Sequence, residues 1–110
     1  MAYRVELAKN AEAELEELYL GVVERAPSQG AGWFNDLEKA ILSLEQLPKR
    51  CRIAPESFDQ DQQVRVFNYG RGPHVYRVFF TIDETAKVVR VMQIRRGARQ
   101  RPAQGELKGE

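Results

Sequence analysis

Apolar residues recur every second position at the start of the chain, at helical spacing through two segments after it, and every second position again from Val64 onward. Tyr3, Val5 and Leu7 alternate with Arg4 and Glu6, the pattern of a half-buried strand. Asn10 is then expected to cap a helix, with Glu12 and Glu14 in its positively polarised first turn. Ala11, Leu15, Leu18, Tyr19, Val22, Val23 and Ala26 form its apolar stripe, while Glu12, Glu16, Glu17 and Glu24 fall largely elsewhere. "PSQG" reads as a break. A second stripe follows through Trp33, Leu37, Ala40, Ile41, Leu44 and Leu47, and Pro48 is expected to stop that helix. So short a connection predicts an antiparallel helical hairpin. The next segment, "PKRCRIAPESFDQDQQ", has no clean period and reads as a loop.

Three strand-like runs complete the chain: "VRVFNY", "HVYRVFFTI" and "KVVRVMQI", joined by the turn segments "GRGP" and "DETA". Tight connections predict an antiparallel meander. The expected fold class is therefore α+β. A strand and a helical hairpin precede three strands, β-α-α-β-β-β, with the helices packed on one face of a curved, mainly antiparallel sheet. On the central run, Tyr76, Val78, Phe80 and Ile82 fit the helix-facing side, and Val75, Arg77, Phe79 and Thr81 the uncovered side. Arg65, between Val64 and Val66, is assigned to the uncovered face beside Phe67 and Tyr69, and Arg95, next to Ile94, is placed there too. Guanidinium groups from three neighbouring strands would then converge on one surface with aromatics between them.

Charge sharpens this picture. The chain has a formal net charge of only +1, yet residues 1–61 hold seven Lys/Arg against twelve Asp/Glu, and residues 62–110 hold ten against four. A basic half points to a polyanionic or acidic partner on one side of the molecule. "IRRGARQR" concentrates the excess, with Arg96, Arg99 and Arg101 extending the positive field at the rim of the sheet beyond Arg95. Cys51 is the single cysteine, so an internal disulfide and a cysteine zinc site are both excluded. The sequence lacks an apolar run near the ~20 residues of a membrane span and the layout of a secretory signal. A cytoplasmic location is the expectation, with no metal and no cofactor.

Several residues have two readings. Arg71 in "GRGP" could help cradle a phosphate, but a hairpin turn accounts for the segment fully, and it lacks a Walker lysine. His74, the only histidine, is the side chain naturally poised near neutral pH. Its position after a Gly-Pro turn equally suits a turn residue without chemistry. Tyr76 points toward the helices and reads as core; Tyr69 could stack a base or fill space. Trp33 reads as core by its spacing. The tail "QRPAQGELKGE" has little apolar content and is expected to be frayed.

The order of elements, and above all "VYRVFFTIDETAKVVRVMQIRRGAR", resembles the RelE/ParE superfamily of toxins from bacterial type II toxin–antitoxin systems. The likeness runs from "YRVELAKNAEAELEEL" through "GWFNDLEKAILSLEQLPKRCRIAPE" to "RRGAR" and implies a single toxin domain over residues 1–101 with a flexible tail at 102–110. It also implies an antitoxin that wraps the toxin, and one of two targets. RelE-like members cleave mRNA on the ribosome; ParE-like members poison DNA gyrase. Cleavage by 2′-hydroxyl attack needs a proton acceptor, a proton donor and positive charge for the developing phosphorane. Arginine supplies only the last. By position, Arg77 and Arg99 match arginines of the RelE-like nucleases, and Arg65 stands where that group has a lysine. Phe67 occupies a second lysine position, and the tail tyrosine has no counterpart. His74, Tyr69 or Tyr76 could serve as substitute acid or base. Between the two targets, the arginine-and-aromatic sheet face, suited to phosphates and stacked bases, favours an mRNA endonuclease using Arg65, Arg77 and Arg99, with Arg71, Arg95, Arg96, Arg101 and Phe67 in RNA or target binding. The alternatives are a gyrase inhibitor without enzymatic activity and an inactive antitoxin-binding relative.

Overall fold

The computed structural model describes residues 2–55, 63–70 and 75–97. The alternating N-terminal segment forms β1, Arg4–Leu7, followed by helices α1, Lys9–Arg25, and α2, Pro27–Leu42. Strands β2, Arg65–Tyr69, β3, Tyr76–Asp83, and β4, Val88–Arg96, complete the molecule. They form one four-stranded sheet in the order β1-β4-β3-β2, with β1 parallel to β4 and both later pairs antiparallel. The α+β order expected from the sequence is the one observed.

Element ends differ from the sequence reading for local reasons. Helix α1 begins at Lys9 with Ala8 in the capping position and no side-chain cap, so Asn10 does not serve as one. "PSQG" is not a break but the first turn of α2, because Pro27 at the start of a helix gives up an amide that has no intrahelical partner. Only Ala26 separates the two helices. Helix α2 ends at Leu42, before Pro48, and tightens into a 3-10 turn at Ser43–Glu45; Leu47 then adopts φ 49° and leads into a second such turn at Pro48–Arg50. The expected loop is partly built: Ile53 bridges Arg65, and backbone bonds from Ala54 N–H to Val64 O and from Val66 N–H to Arg52 O lay this segment along the outer edge of β2.

The core lies between the helices and one face of the sheet. Ala11, Leu37, Ile41 and Leu44 from the helical side meet Val78, Phe80, Val89, Val91 and Ile94 from the strands. Contacts run in opposite sequence directions along the hairpin, Gly30 against Val22 and Phe34 edge-on to Tyr19 at 4.8 Å, which makes the helices antiparallel. Trp33 packs edge-on to Tyr69 and Tyr76 at 5.9 and 5.3 Å, so it is an inward residue, as is Tyr76. Cys51 is buried, and burial pushes its thiol up, leaving it protonated and poorly nucleophilic at neutral pH.

One polar cluster ties chain segments distant in sequence. Glu84, in the β3–β4 turn, accepts from Tyr3 Oη at 3.1 Å and pairs with Lys49 at 2.7 Å and Lys87 at 3.2 Å. The hydrogen bond from Lys49, then that from Lys87, lowers the Glu84 carboxyl from 4.5 to about 2, and the Lys49 ammonium is raised by the same contact. A folded value below the ordinary one means that this stabilisation is complete above 4.5 and is lost as pH falls toward 2. The melting temperature of Glu84→Gln should accordingly lie below that of the parent at neutral pH, with the gap closing in acid. A gap independent of pH would show that the carboxylate charge is not what the cluster uses.

Candidate functional site

In an antiparallel pair, directly opposed residues project from the same face of the sheet. Val78, Phe80 and Ile82 face the helices, so every partner of theirs does too. Arg65 opposes Phe80, Phe67 opposes Val78, and Tyr69 opposes Tyr76. All three therefore lie on the helix-covered face, which corrects their assignment to the open one. Arg77 opposes Asn68 on β2 and Arg95 on β4, and these stand on the open face with Val75, Phe79 and Thr81. Arg96 opposes Tyr76 and falls on the helix side. Of the arginines expected to converge, only Arg77 and Arg95 share the open face among the described residues. Arg71, His74, Arg99 and Arg101 lie outside the described residues, as does the tail.

The cause of the error in β2 is physical. Both faces of this strand are apolar. Val66 packs with Ala54 and Phe79 in a small second cluster on the open side, with Val64 against it, while Phe67 and Tyr69 pack into the main core. Alternation shows that Arg65, Phe67 and Tyr69 share a face but cannot say which face. The edge segment near Ala54 covers part of the sheet surface that the helices leave, so Phe79 is only 9% exposed.

Arg65 has a structural task on its own side. Its Nη1 donates to the carbonyl oxygen of Cys51 at 2.6 Å and lies 3.4 Å from that of Lys49, fastening the second 3-10 turn to β2. Hydrogen bonds from a charged donor contribute about 1.5–3 kcal/mol, and Arg65→Ala should lose stability on that scale in urea denaturation. An unchanged unfolding midpoint would remove the structural role. Phe67 lies with Arg50 at 6.0 Å from its ring centroid, and Tyr69 sits against Trp33. Burial first, and the Asp36 charge second, raises the Tyr69 phenol above its usual value, which disfavours it as a proton acceptor.

Arg77 occupies a different setting. Its Cζ lies 4.9 Å from the Phe79 ring centroid, an attraction between cation and π face. Gly97 continues the pairing beyond β4 by donating to Val75 O at 2.6 Å. A Cβ on Gly97 would come within 3.1 Å of that oxygen and 3.4 Å of Arg77 Cγ, so the glycine leaves room for the arginine stem. Arg95 stands opposite, although its Nε lies 3.5 Å from Glu14 Oε2 of α1. Two like charges directly across a ladder are unfavourable by roughly 0.2–1 kcal/mol. Here the Phe79 ring and the Glu14 carboxylate each offset one of them.

Arg90 adds further charge on the open face, opposite Thr81 and paired with Glu6 at 3.9 Å. Strict alternation along β4 would put Arg95 on the same side as Val91. An irregularity prevents this: Phe79 opposes Gln93 while Phe80 opposes Val91, so Met92 is an extra residue. Val89, Val91 and Ile94 can then all face the helices, with Arg90, Gln93 and Arg95 on the other side. Strand β4 thus runs through Arg95 to Arg96, past the end of the run "KVVRVMQI".

Among the described residues, Val75, Phe79, Asn68 and Arg95 stand beside Arg77 on the open face. They offer apolar contact, an aromatic ring and positive charge. The described part of the surface can hold an anion or an acidic side chain. No group of three or more His, Cys, Asp or Glu among the described residues could hold a metal, and no described helix is long and apolar enough to cross a membrane.

Comparisons with known proteins agree with this architecture. The chromosomal ParDE toxin–antitoxin system from P. aeruginosa contains a chain with a TM-score of 0.66 and 19% identity, over 86% of this chain and 96% of that one. A variant of the E. coli toxin RelE in the free state gives 0.59 and 18%, over 100% and 94% of the two chains. The RelBE2 toxin–antitoxin complex from Mycobacterium tuberculosis gives 0.55 and 20%, over 88% and 100%. No curated protein matches the chain. The sequence model for the ParE toxin of the type II toxin–antitoxin system parDE matches residues 5–101, nearly the whole length, and the chain belongs to that family of toxins.

Proposed function

We propose that this toxin arrests growth by binding DNA gyrase through the open face around Arg77, without enzymatic chemistry, and that a cognate antitoxin with acidic and apolar residues silences it. One observation carries the reading: Arg65 and Arg77, two of the three arginines that a nuclease centre would require, project from opposite faces of the sheet. Arg65 is engaged by backbone carbonyls, and the described surroundings of Arg77 supply charge and stacking but no acid–base pair. Membership in the ParE family favours the same direction. An acidic antitoxin segment fits the excess of Lys/Arg in residues 62–110.

Purified toxin added to gyrase in a supercoiling assay tests the target. Inhibited supercoiling with trapped, cleaved DNA is the expected result, together with no codon-phased mRNA ends in primer-extension mapping of arrested cells. Codon-phased ends with unaffected supercoiling at high toxin excess would overturn the proposal and restore the ribosome-dependent nuclease.

A further inference from the structure

Strand β1 pairs with β4 only over Val88–Val91, and its last bond on that side is Ala8 N–H to Val91 O, where the chain turns into α1. Strand β4 continues to Arg96. Its outer edge past Val91 therefore has no strand beside it among the described residues. Amides along an antiparallel strand point alternately toward and away from the partner strand. The Ile94 N–H is one that turns away from β3, toward this edge, and a buried amide left without an acceptor is costly.

Glu14 supplies the acceptor. It lies on the same face of α1 as the wholly buried Ala11 one turn earlier, and its side chain is 26% exposed. Oε1 accepts the Ile94 N–H at 2.7 Å, and Oε2 lies 3.5 Å from Arg95 Nε, an atom enclosed from solvent. One carboxylate thus replaces the missing strand carbonyl at Ile94 and holds the guanidinium of the next residue.

We infer that Glu14 is a positioning residue for the open-face surface: it fixes the end of β4 in register and sets the direction of Arg95 opposite Arg77. The inference rests on the reading of that face as the gyrase-binding surface for its functional half only. The physical half stands on the two contacts. A helix residue distant in sequence is thereby part of the machinery that arranges the arginine pair, and the arrangement does not depend on a target being bound.

Glu14→Ala and Glu14→Gln separate the two contacts, because glutamine keeps a carbonyl acceptor for Ile94 and removes the charge facing Arg95. Amide hydrogen exchange and the Nε–H resonance of Arg95, both followed by NMR on the whole chain, are the readouts. In Glu14→Ala the Ile94 amide should exchange roughly tenfold faster, with β3 amides unchanged, and the Arg95 resonance should move. Glu14→Gln should restore most of the Ile94 protection while the Arg95 resonance stays displaced. Both variants should inhibit gyrase less than the parent at equal concentration.

Unchanged Ile94 exchange and an unchanged Arg95 resonance in the folded alanine variant would overturn the inference whatever the gyrase assay gives. Displaced signals with undiminished gyrase inhibition would overturn its functional half. Loss of inhibition in Arg77→Glu alongside that result would leave the proposed target surface intact. If Arg77→Glu also inhibits gyrase like the parent, the failure lies with the target surface and not with the Glu14 contacts.

Discussion

Cells producing the Arg77→Glu variant are expected to grow at the rate of uninduced cells, while the purified variant unfolds close to the parent in urea. Arg77 lies on the open face of the sheet, with its guanidinium beside the Phe79 ring and its stem passing Gly97. A cation over an aromatic ring at a partly exposed site contributes about 0.5–1 kcal/mol to folding, small against the roughly 5–15 kcal/mol that separates folded from unfolded domains. Reversing the charge places a carboxylate where an anionic or acidic group is to be received, and such a juxtaposition costs several kcal/mol in binding. The same substitution should weaken the complex with the antitoxin by more than about 1 kcal/mol, measured by calorimetry. Growth arrest by a folded Arg77→Glu protein would show that the open face is not the toxic surface. An unchanged antitoxin affinity would place the antitoxin elsewhere. Arg65→Ala makes the control, since its expected loss is in stability.

Gly30→Ala should destabilise the protein by about 1–3 kcal/mol, a typical cost of overfilling a packed site. Alanine is ordinarily better than glycine inside a helix by about 1 kcal/mol, so the sign itself is diagnostic. A Cβ at residue 30 would lie 2.7 Å from Val22 O and 2.8 Å from Val22 Cγ1. The carbonyl belongs to the α1 backbone and cannot swing aside. The two helices would have to part, loosening the Tyr19–Phe34 contact nearby. Gly32 lies on the exposed side of the same helix, and a Cβ there meets nothing within 4 Å. Gly32→Ala should therefore gain up to about 1 kcal/mol. Equal midpoints for the two variants in urea would mean that the hairpin is not held at this close approach.

Much of the architecture was legible in the chain. Period-two runs at Tyr3–Leu7 and in the three later strands, and helical stripes between them, specify element type because each buries one side of a regular structure. The placement of Tyr76, Val78, Phe80 and Ile82 toward the helices followed from the same periodicity. So did Arg77 on the other side. The helix boundary at Pro27 did not, since proline is compatible with a turn and with a first helical residue alike.

The arginine face was legible only in part. Periodicity alone determined which residues of a strand share a side, and for β3 it also determined which side, because one set is apolar and the other contains Arg77. For β2 it could not. Val66 and Phe67 are both wanted by apolar surroundings, and the choice was made by the register Asn68 to Arg77 and Tyr69 to Tyr76, which turns Arg65 away from Arg77. For β4 the extra residue Met92 changes the phase midway, bringing Arg95 to Arg77 and leaving Arg96 on the other side. Glu14 reads in the sequence as a first-turn carboxylate suited to the helix dipole, and only the packing of α1 beside β4 assigns it to Ile94 and Arg95. Hydrophobic patterning is a property of each segment by itself. Register, bulges and contacts between distant elements depend on how segments meet, so they were decided by the assembled tertiary structure.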